Sequence, residues 1–177
     1  MKLTWFGATT IRVHIGGSVL VVDAAGTSPE IDRAELVSGA DRVIERFGAE
    51  LDMVDLGRWT PRRPARLLDE GDALPQVMAW SASRDAILID AEGEPPLLLL
   101  AAEAPALGRW ADGAVVVLFG DGAQLVSAGG AVLAQRTPKL LALAAGEAAI
   151  DAAIPVLGSA LDGTALLSLE PCMALEA

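Results

Sequence analysis

The stretch Ile11–Val22 constrains this chain most. Ile11, Val13 and Ile15 alternate with Arg12 and His14, so one face of the segment is apolar and the other polar. Gly16-Gly17 follows, supplying the positive φ angles of a tight hairpin turn. Val19-Leu20-Val21-Val22 is then apolar on both faces, the pattern of a central strand covered on both sides. With the β-prone Lys2–Phe6, which stops at Gly7, these pieces predict a three-stranded antiparallel opening.

Later in the chain the layout repeats. Ile11–Ala25 and Ile87–Ala102 both read as strand, glycine-containing turn, continuous apolar strand and small residues, with Glu92-Gly93-Glu94 standing where the first unit has Gly16-Gly17. Two ββ units separated by helical segments predict an α/β sandwich of two sheets built from related halves. Ser28-Pro29-Glu30 is a helix-start signal, a capping hydroxyl followed by proline and an acid. Ile31, Ala34, Val37, Val43, Ile44 and Phe47 then recur at roughly helical spacing, with Gly39 dividing the stretch into two short helices. Strands are expected at Val77–Trp80, Ala86–Asp90, Leu97–Leu100, Val115–Phe119, Leu140–Leu143 and Ala165–Leu169. Helices are expected at Ala123–Gln135, weakened by Gly129-Gly130, and at Glu147–Leu161, broken near Pro155.

Composition narrows the function classes. A chain of 177 residues, 53% apolar and 21% charged, suits a single globular domain over residues 1–177. One cysteine, Cys172, excludes an internal disulfide and a cysteine-rich zinc site; one histidine, His14, excludes a centre built on several imidazoles. A formal charge of −11 argues against nucleic acid and against an anionic membrane surface. No apolar run is long enough to span a bilayer, and Arg12 and His14 interrupt the place of a signal-peptide core, so a cytoplasmic chain is expected.

The segments Met1-Lys-Leu-Thr-Trp-Phe-Gly7, Ile11-Arg-Val-His-Ile-Gly-Gly17 and Val19-Leu-Val-Val-Asp23 resemble the opening of metallo-β-lactamase-superfamily hydrolases, most closely the lactonase-like metal-dependent branch. The resemblance is specific over about the first 25 residues and rests on layout beyond them. It implies an αββα sandwich, here shortened, together with one or two zinc or other transition ions and metal-assisted hydrolysis. The functional positions depart from it. Ala8 stands where the family has histidine after Gly7, and Ala24 where it has proline after Asp23. Leu36–Ile44 keeps Ser38 and Asp41 of the ligand region but no histidine, and Ala101-Ala102-Glu103 replaces the bridging Gly-Asp. Zinc needs imidazole, thiolate or several carboxylates. Asp41 and Glu103, with Asp23 as a third candidate, suit at best a weak Mg²⁺ or Mn²⁺ site.

Other constellations read structurally. His14 is expected to be an ordinary strand residue, and a His14–Cys172 dyad is the only nucleophile pair the chain could form. Gly120-Asp121-Gly122 reads as a turn and helix cap, since it lacks the Walker lysine and a third spaced glycine. Asp69-Glu70-Gly71-Asp72 reads as a solvated turn. The segment Arg58–Arg66 stands out, holding two prolines and four of the 13 basic residues. Arginine and tryptophan are enriched at binding hot spots, and prolines reduce the entropy lost on docking. Arg58, Trp59, Arg62, Arg63 and Arg66 are therefore the expected contacts for an acidic partner surface. The resulting expectation is a non-catalytic scaffold without metal or cofactor, an accessory or interaction subunit of a larger protein assembly. The alternatives are a weak Mg²⁺- or Mn²⁺-dependent hydrolase and a small-anion binding module using the vestigial cleft.

Overall fold

A computed structural model describes residues 1–62 and 76–177. The opening folds as its pattern requires. Strands β1 (Lys2–Trp5), β2 (Ile11–Ile15) and β3 (Ser18–Val22) form an antiparallel meander, with Gly16 and Gly17 at φ 54° and 78° in the β2–β3 turn. β4 (Arg42–Ile44) runs parallel to β3, and β11 (Ala174–Glu176) lies antiparallel to β1, giving a five-stranded sheet in the order β11-β1-β2-β3-β4. The second unit builds the other sheet in the same way. β5 (Val77–Ser83), β6 (Ala86–Ala91) and β7 (Leu97–Leu100) form a meander, and β8 (Val115–Phe119) adds in parallel to β7. β9 (Leu140–Ala144) and β10 (Ala165–Ser168) extend it to six strands in the order β10-β9-β8-β7-β6-β5. The repeated layout in the sequence thus corresponds to a three-strand meander plus one parallel strand in each sheet.

The two sheets pack face to face. Leu3, Val13 and Leu20 of the first meet Ile87, Leu99 and Val117 of the second in one apolar cluster. Every residue of β6, β7, β8 and β9 is buried, which is why β7, β8 and β9 read as unbroken apolar runs and β6 is interrupted only by Asp90. Their outer face is covered over β8 and β9 by α2 (Gly122–Gln135) and α3 (Glu147–Leu157), through Leu125, Val132, Ala153 and Leu157. On the opposite side α1 (Arg33–Val37) presses Leu36 onto Val21 and Ala24. Two sheets with helices on both outer faces make a mixed α/β sandwich.

Several local expectations are corrected. The first helix does not start at Ser28: the Ile31 N–H bonds the Ser28 carbonyl at 3.0 Å to close a turn, and Asp32 is the cap, accepting from the Ala34 N–H at 2.8 Å. A second helix over Val43, Ile44 and Phe47 is absent. That segment becomes β4 because β3 offers a free edge, and Ile44 then joins the inner core. Spacings of three and four residues fit a helix, yet in so short a run tertiary pairing overrides them. Gly129 is no weak point in α2, since a Cβ there would lie about 2.9–3.1 Å from the side chains of Leu157 and Leu118. It is the residue that lets α3 approach. Pro155 does not break α3, which continues to Leu157 and then tightens into a 3-10 turn over Gly158–Ala160. Pro155 and Asp151 are both exposed, so the carbonyl that proline leaves without a donor faces water. Among the described residues no helix is long and apolar enough to cross a membrane.

Candidate functional site

The C-terminal ends of β1, β7, β8 and β9 open onto a cleft of about 490 Å³. In layered α/β sheets this end of the strands is where ligands ordinarily sit. Trp5 and Phe119 form its aromatic walls, Thr9 supplies a hydroxyl, and the remaining lining is glycine and alanine, including Ala8, Ala101 and Gly146. Asp23, which follows β3 at this end, has the left-handed φ of 57°. Its carboxylate accepts the Thr9 hydroxyl and the Phe47 N–H (3.3 Å), and its carbonyl accepts the Thr10 hydroxyl at 2.9 Å. Asp23 therefore ties three loops together. Glu103 lies exposed beyond β7.

Asp41 is elsewhere. Its carboxylate accepts the Val19 N–H at 2.7 Å, at the start of β3, whereas Asp23 follows the end of that strand. Asp23 and Asp41 are thus held at opposite ends of one five-residue strand, and they cannot share a cation. The zinc implied by the resemblance does not fit these residues, because the cleft offers neither imidazole nor thiolate and its nearest carboxylate is already engaged. Among the described residues no three His, Cys, Asp or Glu side chains cluster closely enough to hold a metal.

His14 and Cys172 are likewise separated. His14 pairs across from Lys2 at the start of β1, while the Cys172 N–H donates to the Trp5 carbonyl (2.7 Å) at its end. Partial burial, then Arg12 two residues away on the same face, then Lys2 across the strand pair lower the His14 pKa below 6.5. A folded-state pKa below the unfolded value stabilises the fold above pH 6.5, and that contribution is lost as pH falls below it. The chain has one histidine, so its imidazole proton resonance should titrate below pH 6.5 in the folded protein and near 6.5 in urea. A folded-state midpoint at or above the unfolded one contradicts this assignment. Arg12 itself donates to the carbonyls of Leu36 (2.7 Å) and Ser38 (2.8 Å), closing the end of α1.

Asp121 caps α2 with Gln124 in a reciprocal capping box, as the Gly120-Asp121-Gly122 pattern indicated. Asp69-Glu70-Gly71-Asp72 lies outside the described residues.

The expected docking segment is divided in its roles. The Arg58 side chain is 91% exposed and stands 3.7 Å from Asp55. Trp59 points inward, with its ring 5.1 Å from Trp110 at 85° and 6.1 Å from Trp80. Arg62 is anchored too: its Nε–H donates to Asp90 Oδ2 at 3.0 Å, and another N–H reaches the carbonyls of Gln76 and Asp90. The Asp90 side chain is only 3% exposed, so this is the one cation reaching a buried carboxylate among the described ion pairs. Arg63 and Arg66 lie outside the described residues. Trp59 and Arg62 are therefore part of the molecule's wall, covering the outer face of β5–β7 where α2 and α3 do not reach. A sequence signal for this existed in Asp90, which ends the apolar run Ile87-Leu88-Ile89 and needs a partner once buried.

Fold and site together define a two-sheet α/β sandwich whose strand-end cleft is walled by aromatic and small residues. No protein-family model matches the chain, and no curated protein and no solved structure matches it either.

Proposed function

We propose that this chain is a non-catalytic relative of the metallo-β-lactamase-type hydrolases, serving as an accessory subunit that binds a protein partner within a larger assembly. The observation that carries this reading is the cleft lining. At the strand ends where a hydrolase of that layout needs its donors, this chain places Ala8, Thr9, Ala101 and Gly146, and Asp23 is occupied in holding loops. The Thr9 hydroxyl donates to the Asp23 carboxylate, which also accepts the Phe47 N–H at 3.3 Å, so both side chains serve to hold the loops around the cleft. The layout of two sheets, each a meander plus a parallel strand, supports the family reading. Arg58, with Arg63 and Arg66, remains the cation set offered to an acidic surface; Arg62 leaves it because it serves Asp90.

Native purification from the source cell, followed by elemental analysis, tests the proposal. The chain should emerge in a complex with another protein, carrying far less than one Zn, Mn or Mg ion per copy. Replacing Arg58, Arg63 and Arg66 by Glu should release the partner. A stoichiometric ion would favour the hydrolase instead. Stabilisation by micromolar phosphate or citrate in a thermal melt would favour the small-anion module, and a chain recovered without any other protein would overturn the accessory role.

A further inference from the structure

We infer that the exposed edge of β10 is the seam of a two-fold dimer of this chain, in which two β10 strands pair antiparallel and join the six-stranded sheets into one. An edge strand presents unpaired N–H and C=O groups, and natural proteins blunt such edges with charge, proline, bulges, brevity or cover. Three of the four edges here are blunted. β5 has a bulge between Ser81 and Ser83 and is flanked by residues 52–54, with the Val54 N–H on the Ser81 carbonyl and the Ser81 N–H on the Asp52 carbonyl, both at 2.9 Å. β4 is three residues long and carries Arg42. β11 is equally short and contains Glu176.

Among the described residues β10 is one residue longer than β4 and β11, and it carries no charge, proline or bulge. Its sequence is Ala-Leu-Leu-Ser, uncharged and in unbroken register with β9. The Ala165 N–H donates to the Lys139 carbonyl (3.2 Å) and the Leu169 N–H to the Leu143 carbonyl (2.8 Å), so the odd-numbered residues turn their backbone groups toward β9. By strand alternation Leu166 and Ser168 turn theirs outward. Among the described residues no strand pairs with that side. The side chains agree. Leu167 is 45% exposed, and the exposed Ile154 lies on the flank of α3 turned away from Ala149 and Ala152, which meet Gly122 of α2.

The occupant is a second copy because the edge is complementary to itself. In an antiparallel pair centred on Leu167, Leu166 of one copy exchanges both backbone bonds with Ser168 of the other, and the reverse pair does the same. Leu167 then faces its own counterpart at the closer, non-bonded spacing. The charge of −11 on each copy opposes approach at long range, while the seam itself is neutral. Added salt should therefore tighten the dimer.

Sedimentation velocity on the full chain tests this without reference to any other partner. The mass should rise with concentration from 18.2 kDa toward twice that value, and at lower concentration in about 0.5 M NaCl than in about 0.1 M. Leu167→Lys places like charges opposite each other and should hold the chain monomeric throughout with an unchanged far-ultraviolet spectrum. Ser168→Pro, which removes an outward N–H that the monomer does not use, should do the same if the lysine variant misfolds. Val156→Lys, one turn beyond Ala152 on the flank toward α2, should leave the dimer intact. A chain that stays monomeric at all concentrations, a dimer that survives both β10 variants, or one abolished equally by Val156→Lys would overturn the seam.

Discussion

Arg62→Ala should lower the free energy of unfolding by about 3 kcal/mol, seen as a lower urea midpoint at unchanged slope. The Asp90 carboxylate sits on the outer face of β6, and its side chain is 3% exposed. Removing Arg62 takes away the Nε–H at 3.0 Å and leaves a charge that water cannot fully reach. Arg62 is itself 36% exposed, which places the loss at the lower end of what breaking a buried pair costs. Two comparisons make the result diagnostic. Arg62→Ala combined with Asp90→Leu should recover most of the loss, because replacing both members of a buried pair removes the uncompensated charge. Arg58→Ala should change stability by no more than about 0.5 kcal/mol, since its contact with Asp55 is long and solvated. Equal, small effects at Arg58 and Arg62 would refute the division of roles drawn here and return Arg62 to the set of free cations.

That division marks the boundary of what was legible in the sequence. The hairpins and the parallel βαβ run were written plainly, because Ile11–Ile15 alternates and the β6–β9 segments are long apolar runs bounded by turns. β4 and β11 were hidden. Each is three residues long and owes its conformation to an edge offered by a strand distant in sequence. The losses in the cleft were equally readable, since Ala8 and Ala24 cannot be mistaken for ligands. The positions of the remaining carboxylates were not. Asp23 and Asp41 belong to one short helix-and-turn stretch in the sequence, and only the direction of β3 shows that they are at opposite ends.

Within the segment Arg58–Arg66, the places of Trp59 and Arg62 were hidden for a related reason. Arginine, tryptophan and proline together describe a docking loop as well as they describe a cover strapped onto a sheet, and periodicity cannot separate the two. What separates them is the chemistry waiting beneath: a buried carboxylate for Arg62 and two indoles for Trp59. Trp59 and Arg62 are used by the cover, and Arg58 is left exposed beside them.

The cover hangs on Trp110, and Trp110→Ala should cost about 4 kcal/mol, near the top of the range for truncating a buried aromatic. The indole sits in the 3-10 turn Arg109–Gly113, buried between Leu56, Leu107 and the outer face of the second sheet. Its Nε1–H donates to the Leu56 carbonyl at 2.7 Å, and its ring receives Trp59 edge-on at 5.1 Å. Truncation removes all three supports at once and leaves a void that the rigid strands beneath cannot close. Trp110→Phe should cost less, because the Leu56 carbonyl retains the Gly108 N–H at 3.0 Å and is not orphaned. Trp59→Ala, at a half-buried site, should also fall below Trp110→Ala. Urea titrations of the three variants establish the order, and near-ultraviolet circular dichroism should lose most of its indole signal in Trp110→Ala through the broken Trp59–Trp110 contact. The mechanism makes one further demand. If Trp110 holds the same cover that Arg62 pins at its far end, their effects are not independent, and the double variant should lose less than the sum of the single losses. Strict additivity would mean that the two anchors secure separate structures, and the segment would then be a tethered loop after all.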